Sequence, residues 1–112
     1  MIQHIVLFNA KSDLSMASRG LFAQTALGVL RRSPHLGRFT VGRRVALDAG
    51  YERSFGDKTY EYAAVLEFAN AEALIGYLNS ADHGELGRLF WEMCESTVVT
   101  EVEVEVSSAN LG

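Results

Sequence analysis

The chain has 112 residues, of which 48% are hydrophobic and 21% are charged, and its net charge at pH 7 is −4. These values are typical of one soluble domain, residues 1–112, that can bury a core without disulfides. The negative charge argues against binding to nucleic acid by electrostatics, and no apolar run approaches the ~20 residues of a membrane span. The single cysteine, Cys94, and the lack of an export signal predict a reducing, cytoplasmic location.

The first half of the chain predicts a strand, a long helix and a second strand. Ile2–Phe8 is apolar on both faces, which is typical of a strand buried on both sides. Apolar residues recur at helical spacing in Leu14–Arg32, behind the capping types Ser12-Asp13. Pro34 ends that helix, because the residue before proline avoids the α region. Phe39–Leu47 then alternates apolar and polar side chains, as a strand does.

The second half predicts a loop, a strand and two helices. Asp48–Thr59 contains two glycines and is predicted to be a loop. Tyr60–Phe68 is a strand that pairs with the one before it, and Ala71–Asn79 is a short helix. Asp82 is the predicted N-cap of the next helix, because Glu85 follows at the spacing of a capping box.

The last strand, Thr97–Val106, carries valines on one face and Glu101, Glu103 and Glu105 on the other. We expect these glutamates to face water or a polar rim, and we expect residues 107–112 to be a frayed tail. The element order is βαββααβ, which predicts a ferredoxin-like α+β domain. In that fold a four-stranded antiparallel sheet has its helices on one face.

The other face of such a sheet needs a cover. The first strand carries Ile5 and Leu7 on one face and Val6 and Phe8 on the other, and Tyr60–Phe68 is similarly apolar on both faces. Soluble monomers rarely expose a large apolar patch, and the two-fold dimer is the commonest oligomer. We therefore expect a homodimer in which two sheets form a barrel. The sequence leaves open which face the helices cover.

Several segments together resemble the stress-responsive dimeric α/β-barrel (Dabb) family. They follow one another in the family's order over nearly the whole chain: Gln3–Phe8, Pro34 followed by Gly42, Val65–Phe68, Tyr77 followed by His83, and Phe90–Glu92. The resemblance implies a ferredoxin-like monomer and a dimer built face to face. Some members of the family resemble stress-induced proteins without settled chemistry. Another member is a cyclase that closes a linear polyketide by aldol condensation without a metal or an organic cofactor.

The resemblance implies a catalytic pair, Tyr77 and His83, together with a pocket histidine, His4. This chain differs from the cyclase at Tyr62, where the cyclase has a further pocket histidine, and at Ser80-Ala81, where the family has His-Pro. A neutral histidine can act as a base near pH 7, and a tyrosine can hydrogen-bond a developing enolate. On the residues alone, packing at a helix corner is the favoured interpretation of Tyr77 and His83, and the resemblance brings the catalytic interpretation level with it.

The predicted function is a homodimer that binds a small molecule and acts on a polyketide-like carbonyl compound by acid-base catalysis without cofactor. The candidate catalytic residues are His83 and Tyr77, and the candidate substrate-binding residues are His4 and Tyr62. No metal-ligand spacing is present. The alternative is a non-catalytic stress or assembly protein. An RNA-binding module shares the topology, but the acidic last strand would repel phosphates.

Overall fold

The structure is a computed structural model that describes residues 1–108. Four strands form one antiparallel sheet in the order β2-β3-β1-β4, which confirms the predicted ferredoxin-like α+β fold. In chain order the elements are β1 (Ile2–Ala10), α1 (Met16–Arg32), β2 (Phe39–Arg43), α2 (Tyr51–Phe55), β3 (Tyr62–Phe68), α3 (Ala71–Leu78), α4 (Ala81–Met93) and β4 (Cys94–Glu103). The predicted tail beyond residue 108 lies outside the described residues.

The β2–β3 connection differs most from the prediction. Strand β2 ends at Arg43, opposite the first residue of β3, Tyr62, so the chain beyond it has no strand with which to pair. Val45 and Leu47, predicted to be in this strand, are exposed. The predicted loop contains α2, which lies between two glycines with positive φ, Gly50 at 78° and Gly56 at 95°. Glycine adopts that backbone conformation without the steric cost of a Cβ.

The helices cover the sheet face that carries His4, Val6 and Phe8, and these three side chains are buried. Because paired residues share a face, Ala64 and Leu66 of β3 are buried on the same side. Helices α1, α3 and α4 close this side with buried residues that include Phe22, Leu30, Leu74, Tyr77 and Leu89. The open face is the opposite one, and it carries Ile5, Leu7, Ala63, Val65, Val98 and Val102.

Helix α4 begins two residues earlier than the sequence predicts. Its N-cap is Ser80, whose Oγ accepts a hydrogen bond from the His83 amide at 3.1 Å. The predicted N-cap, Asp82, instead lies within the helix and accepts a hydrogen bond from Arg32 at 3.0 Å. Arg32, the last residue of α1, also donates to Glu85 at 3.0 Å. The two carboxylates of the predicted capping box therefore anchor α4 to α1.

Candidate active site

A cavity of about 590 Å³ lies between the helices and the covered face of the sheet. Side chains along β1 form its floor, from His4 through Val6 and Phe8 to Ala10. Aromatic residues and small residues of the helices form much of its remaining wall, among them Phe22, Phe90, Ala23, Ala26 and Gly87. Since strands rise about 3.3 Å per residue, the floor is about 20 Å long. The cavity is therefore elongated and mainly apolar.

Tyr77 and His83 meet at one end of this cavity. Tyr77 lies in the last turn of α3 with 1% of its surface exposed, and His83 lies in the first turn of α4 and is half-buried. Their ring centroids are 5.0 Å apart, with the rings edge to face. The Ser80 hydroxyl connects their backbones, because it donates to the Tyr77 carbonyl at 2.6 Å and accepts from the His83 amide at 3.1 Å.

His4 joins the same end of the cavity from the sheet. Its side chain is 6% exposed, and its ring centroid lies 6.2 Å from that of Tyr77. Across the strand pair, its Nδ1 is 3.1 Å from Oε1 of Glu101. Glu101 also lines the cavity, although nothing in the sequence pattern distinguishes it from Glu103 and Glu105. Histidine and glutamate are 97 residues apart, so only the pairing of β1 with β4 brings them together.

Tyr62 lines the cavity away from this cluster. It pairs with Phe8 in the sheet, whereas His4 pairs with Leu66. Four residues of strand separate the two positions, or about 13 Å. The Tyr62 ring stacks on Phe8 at 5.2 Å, and its hydroxyl accepts a hydrogen bond from Arg43 at 2.9 Å. Of the four predicted site residues, the structure thus brings three together and leaves Tyr62 at a separate part of the same cavity.

The model of the stress-responsive A/B barrel domain, Dabb, matches residues 2–104. The chain belongs to the Dabb family. No curated protein matches it.

Solved structures resemble this Dabb domain over nearly its whole length. A hydroxynitrile lyase from Passiflora edulis has a TM-score of 0.79 and 20% identity, covering 95% of this chain and 94% of its own. A Dabb family protein with a ferredoxin-like fold from Mesorhizobium loti has a TM-score of 0.74 and 20% identity, covering 92% and 95%. A dimeric ferredoxin-like protein of unknown function from Thermobifida fusca has a TM-score of 0.72 and 18% identity, covering 92% and 90%. At these identities the likeness shows a shared fold.

Burial shifts the pKa values of Tyr77 and His83 in opposite directions. It raises the pKa of Tyr77 to about 12, with a further contribution from the Asp82 carboxylate. It lowers the pKa of His83, with a further contribution from His4, while a hydrogen bond to the Leu78 backbone opposes the shift. Burial favours the uncharged form of each group. Near neutral pH, this Dabb domain therefore places an uncharged phenol, able to donate a hydrogen bond, beside an uncharged imidazole, able to accept a proton.

Other chemistries find less support in the described part of this Dabb domain. Residues 1–108 contain no group of three or more His, Cys, Asp or Glu side chains that could hold a metal ion. Burial raises the pKa of the Cys94 thiol to about 11, which leaves it a poor nucleophile near pH 7. Within the same residues, no helix combines the length and the apolar character that crossing a membrane requires.

Proposed function

We propose that this Dabb domain binds a small carbonyl compound, polyketide-like in character, and converts it by acid-base catalysis without a cofactor. The observation that carries the proposal is the pairing of Tyr77 with His83 at one end of an otherwise apolar cavity. In this reaction, neutral His83 takes a proton from the carbon next to the carbonyl. Tyr77 donates a hydrogen bond to the oxygen, where negative charge develops.

The rest of the cavity suits this chemistry. Its apolar walls exclude water and so strengthen the hydrogen bond that Tyr77 offers to a developing enolate. We assign His4 to contact with the oxygenated end of the ligand and Tyr62 to contact with its other end, because both line the cavity about 13 Å apart along the strands. The Passiflora neighbour, named a hydroxynitrile lyase, supports catalysis on this fold.

The alternative, a non-catalytic stress or assembly protein, predicts a filled interior. The 590 Å³ cavity, with aromatic and small side chains on its walls, favours binding instead. RNA binding is disfavoured by the row of glutamates on β4. We also propose that the domain works as a homodimer in the cytoplasm, with two open sheet faces packed together. The dimeric neighbours of the same fold support the assembly.

Exchange of deuterium into simple ketones tests the proposed chemistry without knowledge of the natural substrate. Methyl ketones from 2-butanone to 2-nonanone are incubated in D₂O, and NMR measures deuterium at the carbon next to the carbonyl. We expect wild type to accelerate exchange, and we expect His83→Ala and Tyr77→Phe each to reduce the acceleration about 10²- to 10⁴-fold.

His35→Ala is the matched control, because His35 is exposed and does not line the cavity. It should retain the wild-type rate. Circular dichroism and thermal unfolding verify that each variant is folded. Exchange no faster than in buffer for every ketone would reject proton abstraction by this site, and a normal rate in His83→Ala would reject His83 as the base.

A further inference from the structure

The contact between His4 and Glu101 places a second pair of titratable side chains in the cavity. The two residues lie directly opposite each other on β1 and β4, with His4 Nδ1 and Glu101 Oε1 3.1 Å apart. The His4 side chain is 6% exposed and that of Glu101 is 43% exposed. The carboxylate therefore lies at the rim, while the imidazole lies inside. Neither the pair Tyr77–His83 nor the apolar wall requires a carboxylate at this position.

A carboxylate constrains which nitrogen of the neighbouring imidazole carries a proton. An ionised carboxylate only accepts hydrogen bonds, so Nδ1 of His4 must be the donor in this contact. In the neutral ring, Nε2 is then the acceptor. His4 lines the cavity beside Tyr77, at a ring separation of 6.2 Å. The same end of the cavity thus offers an acceptor on His4 and a hydroxyl donor on Tyr77.

The charges around this end disfavour an anionic ligand. Arg32 is committed to Asp82 and Glu85, each at 3.0 Å. Among the described residues that line the cavity, the one arginine or lysine is Arg19, whose partners are the Lys11 carbonyl at 3.4 Å and Glu61 at 3.7 Å. Those partners lie at the end of β1 remote from His4. A carboxylate placed near His4 would therefore meet Glu101 without a free cation to offset the repulsion.

We propose that Glu101 is a positioning residue that holds His4 with its proton on Nδ1 and selects an uncharged ligand with a hydroxyl beside a carbonyl. The ligand hydroxyl donates to His4 Nε2, and the ligand carbonyl accepts from the Tyr77 hydroxyl. The ligand's apolar chain extends over Val6 towards Phe8, both of which line the cavity. The proposed ligand class rests on the proposed function, because it requires that the ligand bind in this cavity. The effect of Glu101 on the His4 ring does not depend on the proposed function.

Nitrogen-15 NMR of the histidine rings at pH 8 tests the effect on His4 directly and needs no ligand. We expect wild type to show His4 with hydrogen on Nδ1, and Glu101→Gln to lose that preference because an amide can donate as well as accept. Glu103→Gln is the matched control, since it removes the same charge two residues along β4, outside this cavity. A wild-type ring with hydrogen on Nε2, or an unchanged ring in Glu101→Gln, would overturn the role of Glu101.

Calorimetric titration with 1-hydroxy-2-nonanone and with nonanoate tests the ligand class. Wild type and Glu103→Gln should bind the hydroxyketone at least about tenfold more tightly than the carboxylate, because Glu101 repels a second carboxylate at this end of the cavity. Glu101→Gln should bring the two affinities close together. Equal affinities in wild type, or no binding of the hydroxyketone, would overturn the ligand class. Deuterium exchange that fails while both results hold would reject the catalysis and leave the binding site intact.

Discussion

At the scale of single residues, one physical effect sets both halves of the proposed acid-base pair. Burial keeps the Tyr77 hydroxyl protonated by raising its pKa to about 12. The same burial keeps the His83 ring neutral by lowering its pKa. A phenol and an imidazole in water would need no such environment to coexist near pH 7, but the cavity widens the range of pH over which donor and base are both present.

The lowered pKa of His83 predicts how stability changes in acid. The ordinary pKa of histidine is about 6.5, so the unfolded chain takes up this proton before the folded chain does as the pH falls. The stability contributed by His83 is therefore complete above about pH 6.5 and is lost as the pH drops through the lowered value. We expect His83→Gln to lose less stability than wild type between pH 7.5 and 5.5, measured by urea unfolding. Parallel losses in both proteins would contradict the burial of His83.

The contact of Glu101 with His4 could not be predicted from the sequence pattern of β4 alone. The alternation of glutamates with valines predicts correctly that Glu101 and Glu103 share a face, because the sheet pleat has a period of two. The pattern contains no information on which glutamate meets His4. That depends on the register between β1 and β4, which is set by packing along the whole strand pair.

At the scale of elements, the order and type of the main strands and helices could be predicted because hydrophobic periodicity reports them directly. The exact ends of the helices and strands could not be predicted, because neighbouring residues often carry equally good start or stop signals. Ser80 and Asp82 are both good N-caps, and the structure uses Ser80 because Arg32 of a distant helix takes Asp82. Val45 and Leu47 alternate like strand residues, yet they follow Arg43, which pairs with the first residue of β3, so β3 offers them no partner. Both outcomes follow from tertiary partners that no local pattern contains.

Two serine caps provide a matched test of the helix junction. Ser80 caps α4 between Tyr77 and His83, and Ser15 caps α1, where its Oγ accepts from the Ser18 amide at 3.1 Å. Loss of an N-cap costs about 1 kcal/mol of stability, so Ser80→Ala and Ser15→Ala should lower the free energy of unfolding similarly. Ketone exchange should fall in Ser80→Ala alone, because only that hydroxyl holds the backbones of the pair. Equal exchange rates in the two variants would show that the junction tolerates movement.

At the scale of the whole molecule, the sheet has one face that is covered and one that is not. The helices bury the face that carries His4, Val6 and Phe8. The sequence leaves open which face the helices cover, because both faces are apolar. The exposed face also carries apolar residues of the strands, including Val98 and Val102, each 42% exposed. A sheet with one apolar face towards solvent is unusual for a soluble monomer, and this supports the proposed pairing of two open faces.

Substitutions at two adjacent residues of β3, Ala64 and Val65, can distinguish an effect on dimer assembly from an effect on folding. Val65 lies on the open face beside Ile5, whereas Ala64 lies on the covered face and is 7% exposed. Val65→Asp should place a charge in the contact between two sheets and release monomers. Ala64→Asp should destabilise the fold itself by several kcal/mol, because an unpaired charge is buried in the core. Light scattering at micromolar concentration should give about twice the chain mass of 12.3 kDa for wild type and about that mass for Val65→Asp. A monomeric wild type, or a Val65→Asp variant that stays dimeric, would remove the open face as the interface.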